Sequence, residues 1–259
     1  MSSIEVITSR ESARRAVEQE PVTARPDVVL LHGMFGCPAD WAAVGRHLTG
    51  DWRVFTPQLP VFEFPCGRCG LENLCEDLER QLDRAGVEEV VLGGNSLGGH
   101  VAVLAAVRWP KRVVGLVLSG SSGLFERGFE RGVPRRPSRE WLRKKVEEVF
   151  YDPVHVTDEL LDEVSETIGN TRTLLNVVRL ARTVKRSNLR EMLPQIRCPV
   201  TLIWGADDVI TPPEVAYEFA RHLPNADLHF IERCGHTPPR ERPAEFNRIF
   251  RASLERLIV

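Results

Sequence analysis

The chain has 259 residues, with 34 Lys and Arg against 36 Asp and Glu and a formal charge of −2. That balance gives no support to nucleic-acid binding, and no apolar run approaches the ~18 to 20 residues of a membrane span. The start, MSSIEVITSRESARR, lacks a basic stretch followed by an apolar one, so no secretory signal is expected and the six cysteines (Cys37, Cys66, Cys69, Cys75, Cys198, Cys234) are expected to be reduced thiols of a cytoplasmic protein.

Residues 1 to about 26 are polar, with only a short strand near Ile4 to Ile7 and a charged helix near Glu11 to Gln19 suggested by the pattern. The unbroken apolar run Asp27 to Leu31 predicts a strand buried on both faces of a parallel sheet. It leaves through the glycine-rich His32-Gly33-Met34-Phe35-Gly36. A helix is predicted over Trp41 to Leu48 and a strand over Arg53 to Pro57. The stretch Gln58 to Gly70 is rich in proline, glycine and aromatics and reads as a loop. It holds Cys66-x-x-Cys69, with Cys75 beyond, but no second pair at matching spacing completes the four ligands of a structural zinc. Leu71 to Ala85 carries apolar residues at helical spacing and ends at Gly86.

The stretch Val90 to Leu104 organises the rest. Val90-Val91-Leu92 reads as a strand, and from His100 onward Val101, Leu104, Ala105 and Val107 follow helical spacing. Between them lies Gly94-Asn95-Ser96-Leu97-Gly98, a G-x-S-x-G turn from strand to helix. So tight a turn strains the serine backbone and leaves no room for a side chain at 94 or 98. It holds the hydroxyl where helix N-terminal N–H groups face a developing anion. If the strand ending at Leu31 lies alongside, the N–H of Met34 joins that of Leu97 as an oxyanion hole.

Val113 to Leu118 predicts a further strand. From Leu124 to about residue 190 only helical segments follow, with Ser138, Thr157 and Thr171 expected as their N-caps. This block interrupts the strand–helix alternation, so residues 124–190 are expected to form an inserted helical cap on a core of 1–123 and 191–259. The alternation resumes at Val200 to Trp204, with a helix from Glu214 to Leu223, a last strand at Asp227 to Ile231, and a closing helix from Pro243 to Leu257. The fold class expected is α/β, a mostly parallel doubly wound sheet whose ligand site lies at the strand C-terminal ends.

Met34, Ser96, Asp207, Asp208 and His236 all fall just past such ends. Of seven histidines, His32, His47, His100 and His155 precede the acid, His32 being expected to hold its loop. His222 and His229 sit within predicted elements, and His236 follows Gly235 in a loop from which it can reach across. The order Ser, Asp, His is that of the α/β-hydrolase architecture.

With HGMFG, GNSLGG, GADDVITP and CGHTP in place, the chain resembles the α/β-hydrolase superfamily from about Val28 to Leu257. The resemblance implies Ser96 as nucleophile, His236 as base and then acid, Asp208 as the carboxylate orienting His236, and Met34 and Leu97 as oxyanion-hole donors. Gly33 and Asn95 are expected at the substrate. A serine at 96 argues against dehalogenases and epoxide hydrolases of this fold, which use an aspartate. Within the superfamily Asn95, the WG-x-DD run and the cap resemble the meta-cleavage product hydrolases, which cleave carbon–carbon bonds of 2-hydroxy-6-oxo-dienoates. Two positions depart from that group: Thr237 stands where a tryptophan follows the base, and Val164 falls near the place of a carboxylate-binding arginine.

The expected activity is therefore that of a serine hydrolase on a small carbonyl substrate, through an acyl-enzyme and without metal or other cofactor. A carboxylesterase is ranked first, a carbon–carbon hydrolase second, and a small-molecule receptor on a hydrolase fold stands as the alternative of another class. The Arg127, Arg131, Arg135, Arg136 and Arg139 stretch suits an acidic substrate, but it alternates with Glu126, Glu130 and Glu140, and a solvated face is the reading expected ahead of it.

Overall fold

The computed structural model describes residues 25–64, 70–126 and 138–257. The expected elements before residue 25, the Cys66 and Cys69 pair, and Arg127, Arg131, Arg135 and Arg136 lie outside these residues.

Six strands form one sheet: β1 (Asp27–Leu31), β2 (Val54–Phe55), β3 (Val90–Asn95), β4 (Val113–Ser119), β5 (Val200–Gly205) and β6 (Ala226–Ile231). Their order is β2-β1-β3-β4-β5-β6, every pairing parallel. The chain runs outward from β1 to β2 and then returns across β1 to β3. Winding therefore reverses between β1 and β3, and the crevice for a ligand opens at their C-terminal ends. Strand β2 is shorter than its sequence pattern predicts, since Pro57 has no N–H to extend the ladder at this sheet edge.

Alternation along β1 divides the core. Val28 and Leu30 join Trp41 and the face of α1 (Ala42–Leu48) and α9 (Pro243–Glu255) through Val44, Phe246 and Phe250. Val29 and Leu31 join the opposite face, where α2 (Leu71–Arg84), α3 (Leu97–Arg108) and α7 (Pro213–His222) supply Leu78, Val101 and Phe219. Both sides of the sheet are thus covered, which is why its strands read as unbroken apolar runs.

Between β4 and β5 stand α4 (Arg139–Glu147), α5 (Asp158–Gly169) and α6 (Thr171–Arg186). The Ser138 and Thr157 hydroxyls accept from Trp141 N–H and Leu160 N–H, as expected for N-caps. The third cap is Asn170 rather than Thr171: its Oδ1 accepts from Arg172 and Thr173 N–H, and Thr171 becomes the first helical residue. Helices α4 and α5 carry a small cluster of their own, Val146, Phe150, Val156 and Leu161. In contrast, α6 lays Leu180 and Val184 on the main core. A short helix, α8 (Pro238–Glu241), precedes α9 and has no counterpart in the sequence expectations.

Candidate active site

Strand β3 delivers Ser96, and its backbone carries the strain that the motif predicts. Ser96 sits at φ 54° and ψ −117°, one of two described non-glycine residues with positive φ, a conformation costing on the order of 1–3 kcal/mol. Crowding explains the flanking glycines. A Cβ on Gly98 would lie 2.1 Å from the Leu31 carbonyl oxygen, and one on Gly94 would lie 2.5 Å from Gly98. Leu97 is the first residue of α3.

The β1 exit meets this turn from the side. Leu31 is in register with Gly94, so Gly33 comes level with Ser96, and a Cβ on Gly33 would stand 3.5 Å from Ser96 Cβ. Met34 follows immediately. His32 holds the loop, as expected: its Nδ1 is 2.8 Å from the Gly33 carbonyl, and its Nε2 accepts the Leu59 N–H at 3.0 Å. That pairing fixes the Nδ1–H tautomer, and burial lowers the pKa of the ring.

Strands β5 and β6 bring the acid and the imidazole together. His236 Nδ1 is 2.8 Å from Asp208 Oδ2, with both groups buried. Asp208 is otherwise saturated: Oδ1 accepts from Ile210 and Thr211 N–H, and Oδ2 from the Thr211 hydroxyl at 2.8 Å. Asp207 is exposed and turns to Cys234 N–H instead. Burial opposes the imidazolium of His236, but the charge and hydrogen bond of Asp208, helped by Glu126 and Glu241, outweigh it and raise the His236 pKa.

The His236 backbone is pinned as well. Its N–H donates to the Val149 carbonyl at 2.8 Å, and its carbonyl accepts from the Asn95 side chain at 2.9 Å. Asn95 also donates to the Ser119 carbonyl. Expected at the substrate, its amide donors instead tie the β3, β4 and β6 strand ends together. Glu241 of α8 is buried and accepts from Gly235 and Tyr151 N–H, joining the His236 loop to the segment after α4. Gly120, at the end of β4, faces the ring; a Cβ there would stand 2.9 Å from His236 Nδ1.

Thr211, Glu241 and Glu126 were not singled out by sequence. None of the three left a signal: Thr211, for one, lies in a turn that already holds Asp207 and Asp208. Glu126 is exposed as a residue, yet protein atoms crowd its carboxyl and burial raises its pKa, with His236 and the Ser122 hydroxyl drawing it down.

A cleft of about 280 Å³ opens beside the β1 exit. Phe35, Gln58 and Phe62 line the core side, and Glu163, Val164 and Glu166 of α5 line the other. Among its described lining residues there is no Lys or Arg. Arg139, the one described member of the arginine stretch, pairs with Asp158 and Asp162 instead. Cys37, Cys75, Cys198 and Cys234 are free thiols, and burial pushes that of Cys75 up to about 12. Among the described residues no helix is long and apolar enough to cross a membrane.

A strained serine at the β1/β3 switch point, with a buried His–Asp pair delivered by the later strands, defines a hydrolase of the α/β type. The chain belongs to the alpha/beta hydrolase family, whose profile matches residues 28–249. It is 30% identical over 255 residues to a 2-hydroxy-6-oxononadienedioate/2-hydroxy-6-oxononatrienedioate hydrolase of Burkholderia vietnamiensis, covering 90% of this chain and 88% of that one. It is 28% identical to the 2-hydroxy-6-oxo-6-phenylhexa-2,4-dienoate hydrolase of Burkholderia cepacia, over 86% of this chain and 85% of the other. Among solved structures, an alpha/beta hydrolase from the Mar Chica lagoon metagenome superposes with a TM-score of 0.74 at 30% identity, over 95% of this chain and 100% of that one. A meta-cleavage product hydrolase of Pseudomonas fluorescens gives 0.76 at 25% identity, over 87% and 89% of the two chains.

Proposed function

We propose that this hydrolase is a serine enzyme that cleaves a carbon–carbon bond next to a ketone, in a substrate of the 2-hydroxy-6-oxo-dienoate class. The observations that carry the catalytic part are strained Ser96 at the end of β3 and the buried His236–Asp208 pair, 2.8 Å apart, beyond β5 and β6, with Asn95 beside Ser96 bonded to the His236 carbonyl. The substrate class is supported by the named relatives, which favour carbon–carbon cleavage over the esterase activity that the sequence motifs alone rank first.

In this reading His236 takes the proton of Ser96 Oγ, and Ser96 attacks the ketone carbon. The Met34 and Leu97 N–H groups hold the alkoxide, a contribution of roughly 3 to 4 kcal/mol per donor. Collapse breaks the adjacent carbon–carbon bond. The substrate reacts as its 2-oxo tautomer, its 2-hydroxyl proton having moved to C5. The electron pair left on C5 is therefore delocalised through the C3–C4 double bond into the 2-oxo group, and protonated His236 returns its proton to that fragment. Water, deprotonated by His236, then clears the acyl-enzyme. Asp208 keeps Nδ1 protonated and steadies the imidazolium. Asn95 positions His236 through its carbonyl rather than touching the substrate. The segment 124–190 serves as the cap, with α5 facing the β1 exit across the cleft.

One observation favours carboxylester hydrolysis as a second reading. The cleft beside the β1 exit, read as the way to Ser96, is lined by Glu163 and Glu166 and, among its described residues, by no cation for a substrate carboxylate, and an absent charge-assisted bond forfeits roughly 1.5 to 3 kcal/mol. The ratio of kcat/KM for 2-hydroxy-6-oxo-6-phenylhexa-2,4-dienoate to that for short p-nitrophenyl esters separates the two. A ratio above one is expected, and a ratio well below one returns the assignment to an esterase.

A further inference from the structure

We infer that His100, which the reaction as described does not use, is a positioning residue that locks both ends of the cap segment to the turn carrying Ser96. The inference rests on reading Ser96 as the nucleophile and 124–190 as the cap. His100 lies one helical turn beyond Ser96 in α3, its N–H donating to the Ser96 carbonyl at 3.2 Å. Its ring is fully buried and bonds to two serines that belong to different parts of the chain.

Ser122 stands on the outgoing stalk, three residues past the end of β4, with its Oγ 3.3 Å from His100 Nδ1. Ser187 stands on the returning stalk, as the residue closing α6, with its Oγ 3.0 Å from His100 Nε2. Ser122 is also bound to the nucleophile turn, its N–H donating to the Ser96 carbonyl at 3.2 Å and its hydroxyl at 3.4 Å. The two stalks meet directly too: Leu189 N–H donates to the Gly123 carbonyl at 2.7 Å. Gly123 takes φ +113°, and a Cβ there would stand 2.3 Å from Leu189 Cδ1 and 3.2 Å from His100 Cε1. Only glycine allows the stalks and the imidazole to approach so closely.

One proton arrangement satisfies the set. The Ser122 hydroxyl donates to the Ser96 carbonyl or to Glu126, so its oxygen accepts Nδ1–H from His100. Nε2 is then left to accept the Ser187 hydroxyl. The ring is neutral in this arrangement, and burial alone holds its pKa down to about 3. A cap whose two ends share one imidazole, itself one turn from Ser96, closes in a fixed position relative to that serine.

Amide hydrogen exchange on full-length wild type, His100→Ala, His100→Gln and Ser187→Ala tests this. Amides of α4 to α6 are expected to exchange at least about tenfold faster in His100→Ala, while those of β3 and β4 keep their protection. Ser187→Ala should give the same pattern at smaller size, and His100→Gln should recover part of the protection. Together with the exchange change, kcat/KM for p-nitrophenyl octanoate should fall about tenfold and that for p-nitrophenyl acetate less than about twofold, because a short acyl group needs little of the cap. Unchanged cap exchange, exchange that quickens uniformly over the chain, or parallel losses on both esters would overturn the proposal. If His100→Ala does not fold, Ser187→Ala carries the same test, since Ser187 is only half-buried. The exchange arm is independent of Ser96 chemistry. Failure of a fluorophosphonate to label the wild type would count against the nucleophile reading alone.

Discussion

The sheet core and the helices between β4 and β5 are built on different terms. In the core, two apolar clusters clasp the sheet from either face, and strand residues such as Leu30 and Leu92 have no exposed surface. Above it, α4, α5 and the segment between them share a separate cluster of only four buried apolar residues and a set of exposed ion pairs such as Arg143–Asp158. Their attachment to the core is largely polar, through Glu241, Val149 and the stalk contacts at His100. The proposed reacting groups stand at the strand ends, where the chain is held most firmly, whereas the segment proposed as the cap has least burial, and local opening is cheapest there.

The contrast can be broken most severely at the reacting groups. Ser96→Ala should lower turnover on the order of 10⁶-fold with stability preserved, measured by steady-state kinetics beside thermal melting. Asp208→Asn should cost about 10⁴-fold by upsetting the His236 tautomer, while Asp207→Asn leaves kcat near wild type. Comparable losses in both would deny that the buried carboxylate is the partner.

Packing sharpens it next. Leu92→Ala is expected to destabilise the whole chain by roughly 2–5 kcal/mol in denaturant melts. Leu161→Ala, equally buried but in the α4–α5 cluster, should mainly quicken exchange of those helices. A global loss as large as that of Leu92→Ala would mean the helices melt with the sheet.

The pH profile comes third. His236 must be neutral to act as base, and its pKa is raised, so kcat/KM should climb with pH through a midpoint above the usual value of about 6.5. Glu126 contributes to that elevation, so Glu126→Gln should move the midpoint down. An unmoved midpoint would place Glu126 too far away to matter. The smallest effect is expected at Arg139→Ala: its partners Asp158 and Asp162 are exposed, and such surface pairs contribute little. Both melting temperature and kcat/KM should stay at wild-type values.

Much of the core was legible because burial on both faces of a parallel sheet imposes unbroken apolar runs, and the exits of β1, β3, β4, β5 and β6 all carry a glycine. Ser96, Asp208 and His236 stood out for the same reason, each being polar just past such a run. What was not legible is made by distant partners. Thr211 and Glu241 became visible only as the hydrogen-bond donor to Asp208 and the acceptor from Gly235 and Tyr151. His100 reads as an ordinary helical residue until Ser122 and Ser187 converge on it. Asn95 shows the converse: its motif pointed toward the substrate, but two backbone carbonyls claim its amide. The N-cap shift from Thr171 to Asn170 has a local cause, since both residue types cap well and only the backbone geometry decides between neighbours.

The central claim is that Ser96, activated by His236, forms the acyl-enzyme. Peptide mass spectrometry after treatment with a fluorophosphonate tests it most directly. One adduct on the peptide carrying Ser96 is expected, lost in Ser96→Ala and slowed by a competing 2-hydroxy-6-oxo-dienoate. An adduct on another residue, or turnover that persists in Ser96→Ala, would contradict the account.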